Sequence, residues 1–111
     1  MAGKFEIYSD KAGEFRFRLK SGNDQNILAS EGYKKKSSCT NGIESVKKNS
    51  AEASMFDKKI TAAGKYSFNL KAKNNQVIGT SQSYETEASR DAGVEAVMST
   101  APDASIDDTT K

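Results

Sequence analysis

The side chains that most often do chemistry at neutral pH are nearly missing here: the chain has no histidine and one cysteine, Cys39. Without imidazole it lacks the usual general base, the Ser–His and Cys–His nucleophile pairs, and the commonest metal ligand. One thiol cannot build a thiolate metal cluster within a chain. Neither a P-loop nor a dinucleotide-binding glycine pattern is present, and no acidic loop has calcium-ligand spacing. The residues predict no catalytic group, no cofactor and no metal site. Cys39 has two readings, a thiol activated near a helix start or a small core residue on an apolar helix stripe, and its position on that stripe favours the core.

The one chemically suggestive constellation is cationic. Arg16, Arg18 and Lys20 alternate with Phe15, Phe17 and Leu19, so they share one face of a strand, and Lys34, Lys35 and Lys36 lead into a helix. Such a set can hold an anion at a helix start or follow a phosphate backbone. It is the candidate anion or nucleic-acid surface, with nucleic acid or an acidic protein as partner class. Against it, no aromatic is expected on that outer strand face to stack bases. The isoelectric point near 8.6 is mild for a nucleic-acid binder, and a cationic row is an ordinary way to keep a sheet face solvated.

These residues sit in a chain written twice. A shift of 51 positions lays residues 3–50 on 54–101 without a gap, with 15 of 48 positions identical. The shared residues, among them Phe5/Phe56, Phe17/Phe68, Leu19/Leu70, Tyr33/Tyr84 and Gly42/Gly93, are those that build a fold. A lone unit of about 50 residues is only marginally stable, so the two copies are expected to share one core. The first copy has ten Lys and Arg against six Asp and Glu, the second six against five, in a chain of net charge +2. The excess positive charge therefore belongs to the first copy. No apolar run reaches membrane-span length and none makes a signal-peptide core, so the expected setting is the cytoplasm, with no membrane partner, and the unpaired cysteine agrees.

Within each copy the periods read as three strands and a helix. Residues 4–8, 15–20 and 26–30 alternate with period two, and the turns near Gly13 and around Asn23 and Asp24 separate them. The second copy repeats this at 66–71 and 77–81, with Asn74 and Asn75 in its loop. Cys39, Gly42, Ile43 and Val46 then recur at helical spacing, matched by Arg90, Gly93, Val94 and Val97. Thr86 is the expected N-cap of the second helix, and Ser37 or Ser38 that of the first. Glycine inside both helices predicts a close approach to the sheet or to the other helix. The expected core holds Phe5, Ile7, Phe15, Phe17, Leu19, Ile27, Ile43 and Val46, with Phe56, Tyr66, Phe68, Leu70, Ile78, Val94 and Val97.

The segments Gly3-Lys4-Phe5-Glu6-Ile7-Tyr8, Phe15-Arg16-Phe17-Arg18-Leu19-Lys20, Ser30-Glu31-Gly32-Tyr33 and Asn41-Gly42-Ile43-Glu44-Ser45-Val46-Lys47-Lys48-Asn49 closely resemble the YegP-like family of small bacterial proteins. The resemblance covers the first copy, the second more loosely, and stops near Pro102. It implies an α+β fold of two tandem β-β-β-α repeats forming one antiparallel sheet with two helices on one face. A short strand after each helix would be exchanged between the repeats. The tandem chain would then be a monomer with internal pseudo-two-fold symmetry, a pseudo-dimer. On this reading the repeats are residues 1–53 and 54–106, and 107–111 is a flexible tail. The family has no assigned biochemical function and no catalytic or ligand residues to carry over, which leaves a non-enzymatic binding domain as the expectation, with weak, salt-sensitive nucleic-acid binding through the basic face as the alternative.

Overall fold

The computed structural model describes residues 3–22, 25–73 and 75–110. Asn23, Asp24 and Asn74, expected in hairpin loops, lie outside the described residues. The first repeat gives β1 (Lys4–Ser9), β2 (Phe15–Lys20), β3 (Asn26–Ala29) and α1 (Lys36–Asn49). The second gives β4 (Phe56–Ile60), β5 (Tyr66–Lys71), β6 (Val77–Thr80) and α2 (Glu87–Thr100), followed by β7 (Ser105–Asp108). The strands form one sheet in the order β4-β5-β6-β3-β2-β1-β7. The first six run palindromically about the β6/β3 junction, where Ala29 faces Thr80.

Period-two patterning sets the faces. Phe17 and Leu19 of β2 are fully buried, as are their counterparts Phe68 and Leu70, while the residues between them stay partly exposed. The helices cover the apolar face: α1 packs on β2 and reaches β5 and β6, and α2 packs on β5 and reaches β3. One cluster of buried side chains therefore runs through both repeats. Phe15 and Tyr66, expected in the core, are only half-buried, because each begins its strand near the sheet's end, and Phe15 packs against the core's margin.

A bulge opposite Leu19/Lys20 breaks the period in β3, and a matching one opposite Leu70/Lys71 breaks it in β6. Both Ile27 and Leu28 consequently turn inward, at 6% and 2% exposure. Strict alternation predicts only Ile27. The shared serines close the same strand ends: the Phe17 N–H donates to Ser30 Oγ and the Phe68 N–H to Ser81 Oγ, each at 2.9 Å.

The helix glycines have a specific reason. Tyr33 stacks on Phe17 and Tyr84 on Phe68, with centroids 6.4 Å apart in both pairs. A Cβ on Gly42 would lie 2.7 Å from Tyr33 Oη and 3.0 Å from Phe17 Cε2; on Gly93 it would lie 2.4 Å from Tyr84 Oη. The tyrosine recurs in each repeat because the glycine opposite it recurs. Thr86 caps α2 as expected, accepting from the Ser89 N–H at 3.1 Å. Neither Ser37 nor Ser38 caps α1: the helix already starts at Lys36, and Lys35 sits at the cap with no side-chain bond.

Two expectations about the segments after the helices change. The sheet is antiparallel except at one seam, where β7 joins β1 in parallel, Phe5 facing Ile106. A four-residue strand after α2 does cross to the other repeat, but after α1 the chain takes a 3-10 turn at Ala53–Met55 straight into β4. Asp107 and Asp108, expected in a frayed tail, belong to β7, and Thr109 continues the seam by donating its N–H to the Ile7 carbonyl at 3.0 Å. Pairing with β1 supplies the ordering that the sequence alone does not signal.

Candidate functional site

β1 and β2 carry the predicted cations on the face away from the helices. The register sets Glu6 opposite Arg18, Tyr8 opposite Arg16 and Lys4 opposite Lys20, and opposed residues share a face. Arg18 Nε meets Glu6 Oε1 at 2.7 Å, Lys20 Nζ meets Glu6 Oε2 at 3.6 Å, and Arg16 Nε meets Asp10 Oδ2 at 2.7 Å. The Arg18 hydrogen bond, helped by Lys20, holds the Glu6 carboxyl below the usual carboxylate range. The Arg16 bond does the same to Asp10 and raises Arg16 in return. All three strand cations thus have carboxylate partners, and Lys4 has one in Asp107 at 3.6 Å.

The lysine run lies elsewhere. Lys36 reaches Asp108 at 2.9 Å, and its ammonium sits 5.6 Å from the centre of the Phe15 ring, on the side that carries the helices. Lys34 and Lys35 are exposed beside it. The structure therefore assembles Arg16, Arg18 and Lys20 on one face but places Lys34, Lys35 and Lys36 at the end of the other. It also adds an aromatic to the first group: the Arg18 guanidinium stacks 4.1 Å over the Tyr8 ring. Sequence patterning left that face without one. The alternation within β1 carries the signal, because Tyr8 alternates with the buried Ile7.

Asp108 is tied down most firmly. Hydrogen bonds from Thr110, followed by Lys36, lower its carboxyl to about 2. A depressed carboxylate stabilises the fold fully above its ordinary value of about 3.9 and loses that contribution as pH falls through the folded value. An NMR pH titration should show Asp108 titrating near 2, with the Thr110 amide moving in step. A midpoint at the ordinary value would mean that the end of β7 is loosely held.

Cys39 is fully buried, and burial pushes its thiol up to about 11, with the nearby Asp108 charge adding to the effect. Arg90, which replaces Cys39 in the second repeat, is itself 6% exposed. Its guanidinium snorkels over the Tyr66 ring at 5.4 Å toward Asp91 and Glu87. Among the described residues no three His, Cys, Asp or Glu side chains are grouped as metal ligands, and no helix is long and apolar enough to cross a membrane.

Comparison with known proteins agrees with the repeat. The family described as Domain of unknown function (DUF1508) matches twice, over residues 10–57 and 62–108. Each match takes in two strands, a helix and the start or whole of the strand after it. The UPF0339 protein in the ptx operon 5' region of Stutzerimonas stutzeri is 63% identical over 106 residues, covering 96% of both chains. The UPF0339 protein YegP of Escherichia coli K12 is 44% identical over 110 residues, covering 99% of this chain and 100% of its own. A solution NMR structure of YegP from E. coli, titled as a protein of unknown function, superposes with a TM-score of 0.93 at 43% identity over 98% of this chain and 94% of its own. The UPF0339 protein of Shewanella oneidensis gives 0.91 at 44% identity over 97% and 92%. With two family matches in tandem and relatives aligned along nearly their whole lengths, the chain belongs to the DUF1508 (UPF0339, YegP-like) family of uncharacterised proteins.

Proposed function

We propose that the protein is a non-enzymatic binding module of the cytoplasm that acts through surfaces its two repeats hold rigid. The observation that carries this is the state of Cys39. The sole thiol of a histidine-free chain is fully buried with its pKa near 11, so almost no thiolate exists at neutral pH. In the folded protein Cys39 should react with a thiol reagent at least about a hundredfold more slowly than in the denatured chain. Labelling at the unfolded rate under native conditions would reopen a nucleophilic role and overturn this reading.

A second reading, salt-sensitive nucleic-acid binding through Arg16, Arg18 and Lys20 with Lys34, Lys35 and Lys36, has one observation in its favour. Tyr8 beneath Arg18 offers a stacking surface on an open sheet face. The carboxylates that pair with Arg16, Arg18, Lys20 and Lys36 weigh against it. Binding of short single-stranded oligonucleotides should weaken with salt, and replacing Arg16 and Arg18 with alanine should flatten that dependence by about two unit charges. Unchanged affinity in the double variant would remove this reading.

A further inference from the structure

The two repeats build the same junction twice, and only one of the two is cationic. The end of α1 meets the turn that leaves β5, and between them lies a cleft of about 290 Å³ lined by Ser45, Lys48, Asn49, Ala72 and Lys73. The matching positions, 51 residues away, are Ala96, Ser99, Thr100, Ser21 and Gly22. There Thr100 packs so closely that a Cβ on Gly3 would stand 2.5 Å from its Cγ2. The second junction is made without a lysine, so the pair at the first is not a requirement of the architecture.

The side chains around the cleft share one chemistry. Lys48 and Lys73 are exposed, and neither comes within 4.0 Å of a carboxylate among the described residues. The lysines of the neighbouring hairpin differ: Lys58 meets Asp91, Lys65 meets Glu85, and Lys59 and Lys71 share Asp57. A lysine in the last turn of a helix offsets the helix dipole, which accounts for Lys48. It does not account for Lys73, which comes from the other repeat and follows a strand. Asn49 is buried, at 7% exposure, and its Nδ2 donates to the Ser45 carbonyl at 2.8 Å. That bond leaves one carboxamide hydrogen and Oδ1 without a partner among the described residues. Two ammoniums, the Ser45 hydroxyl and the spare Asn49 N–H are all donors suited to one oxyanion, and no lining side chain is acidic.

We propose that this cleft binds the phosphate of a small phosphate monoester with a polar, non-aromatic body, such as a sugar phosphate. The two ammoniums match the charge of a monoester near neutral pH, and lysine serves phosphate as a point charge. A bare phosphate fills only part of the volume, which leaves room for the body of the molecule. No aromatic ring lines the cleft to stack a base, so the remaining space suits hydroxyl-bearing groups rather than a nucleobase. This rests on the reading of the protein as a non-enzymatic binding module and gives that module a ligand class. With neither imidazole nor thiolate in the cleft, the ester is held and not cleaved.

The test is an amide NMR titration of the full-length protein at about pH 7.5, where the monoester is a dianion, with glucose 6-phosphate, inorganic phosphate and glucose at constant ionic strength. Saturable shifts are expected at Ser45, Lys48, Asn49, Ala72 and Lys73, including the Asn49 side-chain amide. Glucose 6-phosphate should bind at least about threefold more tightly than inorganic phosphate, and glucose should leave the spectrum unchanged. Lys48→Gln and Lys73→Gln should each weaken binding about fivefold, as expected for one exposed charge pair. Both side chains are exposed, so neither substitution threatens the fold. Lys11→Gln, at an exposed lysine in the β1–β2 turn, should leave the affinity unchanged. Four results overturn the proposal: silence at tens of millimolar glucose 6-phosphate, shifts centred instead on residues 16–20 or 34–36, undiminished binding by either cleft variant, or inorganic phosphate binding as tightly as glucose 6-phosphate. None of these touches the non-enzymatic reading, which stands or falls on Cys39 reactivity.

Discussion

Replacing Phe17 with alanine is expected to cost about 3–5 kcal/mol, because it empties the place where β1, β2 and α1 meet. The ring is fully buried. Phe5 packs edge-on against it at 5.8 Å, Tyr33 stacks on it at 6.4 Å, and the backbone of Gly42 comes down onto it from the helix. None of these neighbours can move in cheaply. Phe5 is held in the sheet, and the helix is fixed at both its β2 and β6 contacts. Phe68→Ala should cost a similar amount, since Phe56 and Tyr84 repeat the arrangement at 5.6 and 6.4 Å. Because one core cluster spans both repeats, each variant should still unfold in a single transition, with a lower denaturant midpoint and an unchanged slope. A loss under about 1 kcal/mol would show that the ring is not the keystone of the packing.

Gly79→Ala is expected to destabilise by about 1–3 kcal/mol, although alanine is normally preferred to glycine inside a strand. A Cβ at Gly79 would stand 2.6 Å from Leu28 Cδ2 and 2.7 Å from Leu28 Cγ. The branch point of a fully packed leucine is not a flexible end, so it must shift or the strands must part. Leu28 and Gly79 occupy the same place in the two repeats, 51 residues apart, and they meet near the centre of the palindromic sheet. Two large residues do not fit there, and two glycines would leave a void. Leu28→Ala alone should cost about 2–5 kcal/mol. In the double variant the new methyl occupies part of the vacated space, so its cost should fall clearly short of the sum of the two single losses. Strict additivity in a double-mutant cycle would mean that the two positions do not compete for one space.

The same central contact shows where sequence reading stops. The alternation in Phe15-Arg16-Phe17-Arg18-Leu19-Lys20 is enough to turn Phe17 and Leu19 inward and the cations outward, because side-chain direction in a strand depends only on neighbouring residues. Helical spacing likewise marks Ile43, Val46, Val94 and Val97, and Thr86 announces its own cap. Leu28 escaped because a bulge is set by the pairing of two strands and not by either one. The ion pairs of Arg16 and Arg18 escaped for a related reason. Their partners, Asp10 and Glu6, are fixed by how the β1–β2 hairpin folds back on itself.

The sequence by itself determined the repeat, the period of each element, the face each strand buries, and the poverty of chemically competent side chains. All of these follow from composition or from interactions among residues a few positions apart. Only the tertiary structure decided that β7 lies parallel to β1, that the candidate cations are divided between two sides of the sheet, and that among the described residues β1 has a strand on its outer edge where β4 has none. Those outcomes depend on which distant segments become neighbours when two helices settle over a shared core. That choice is made by packing across the whole chain, and no local pattern records it.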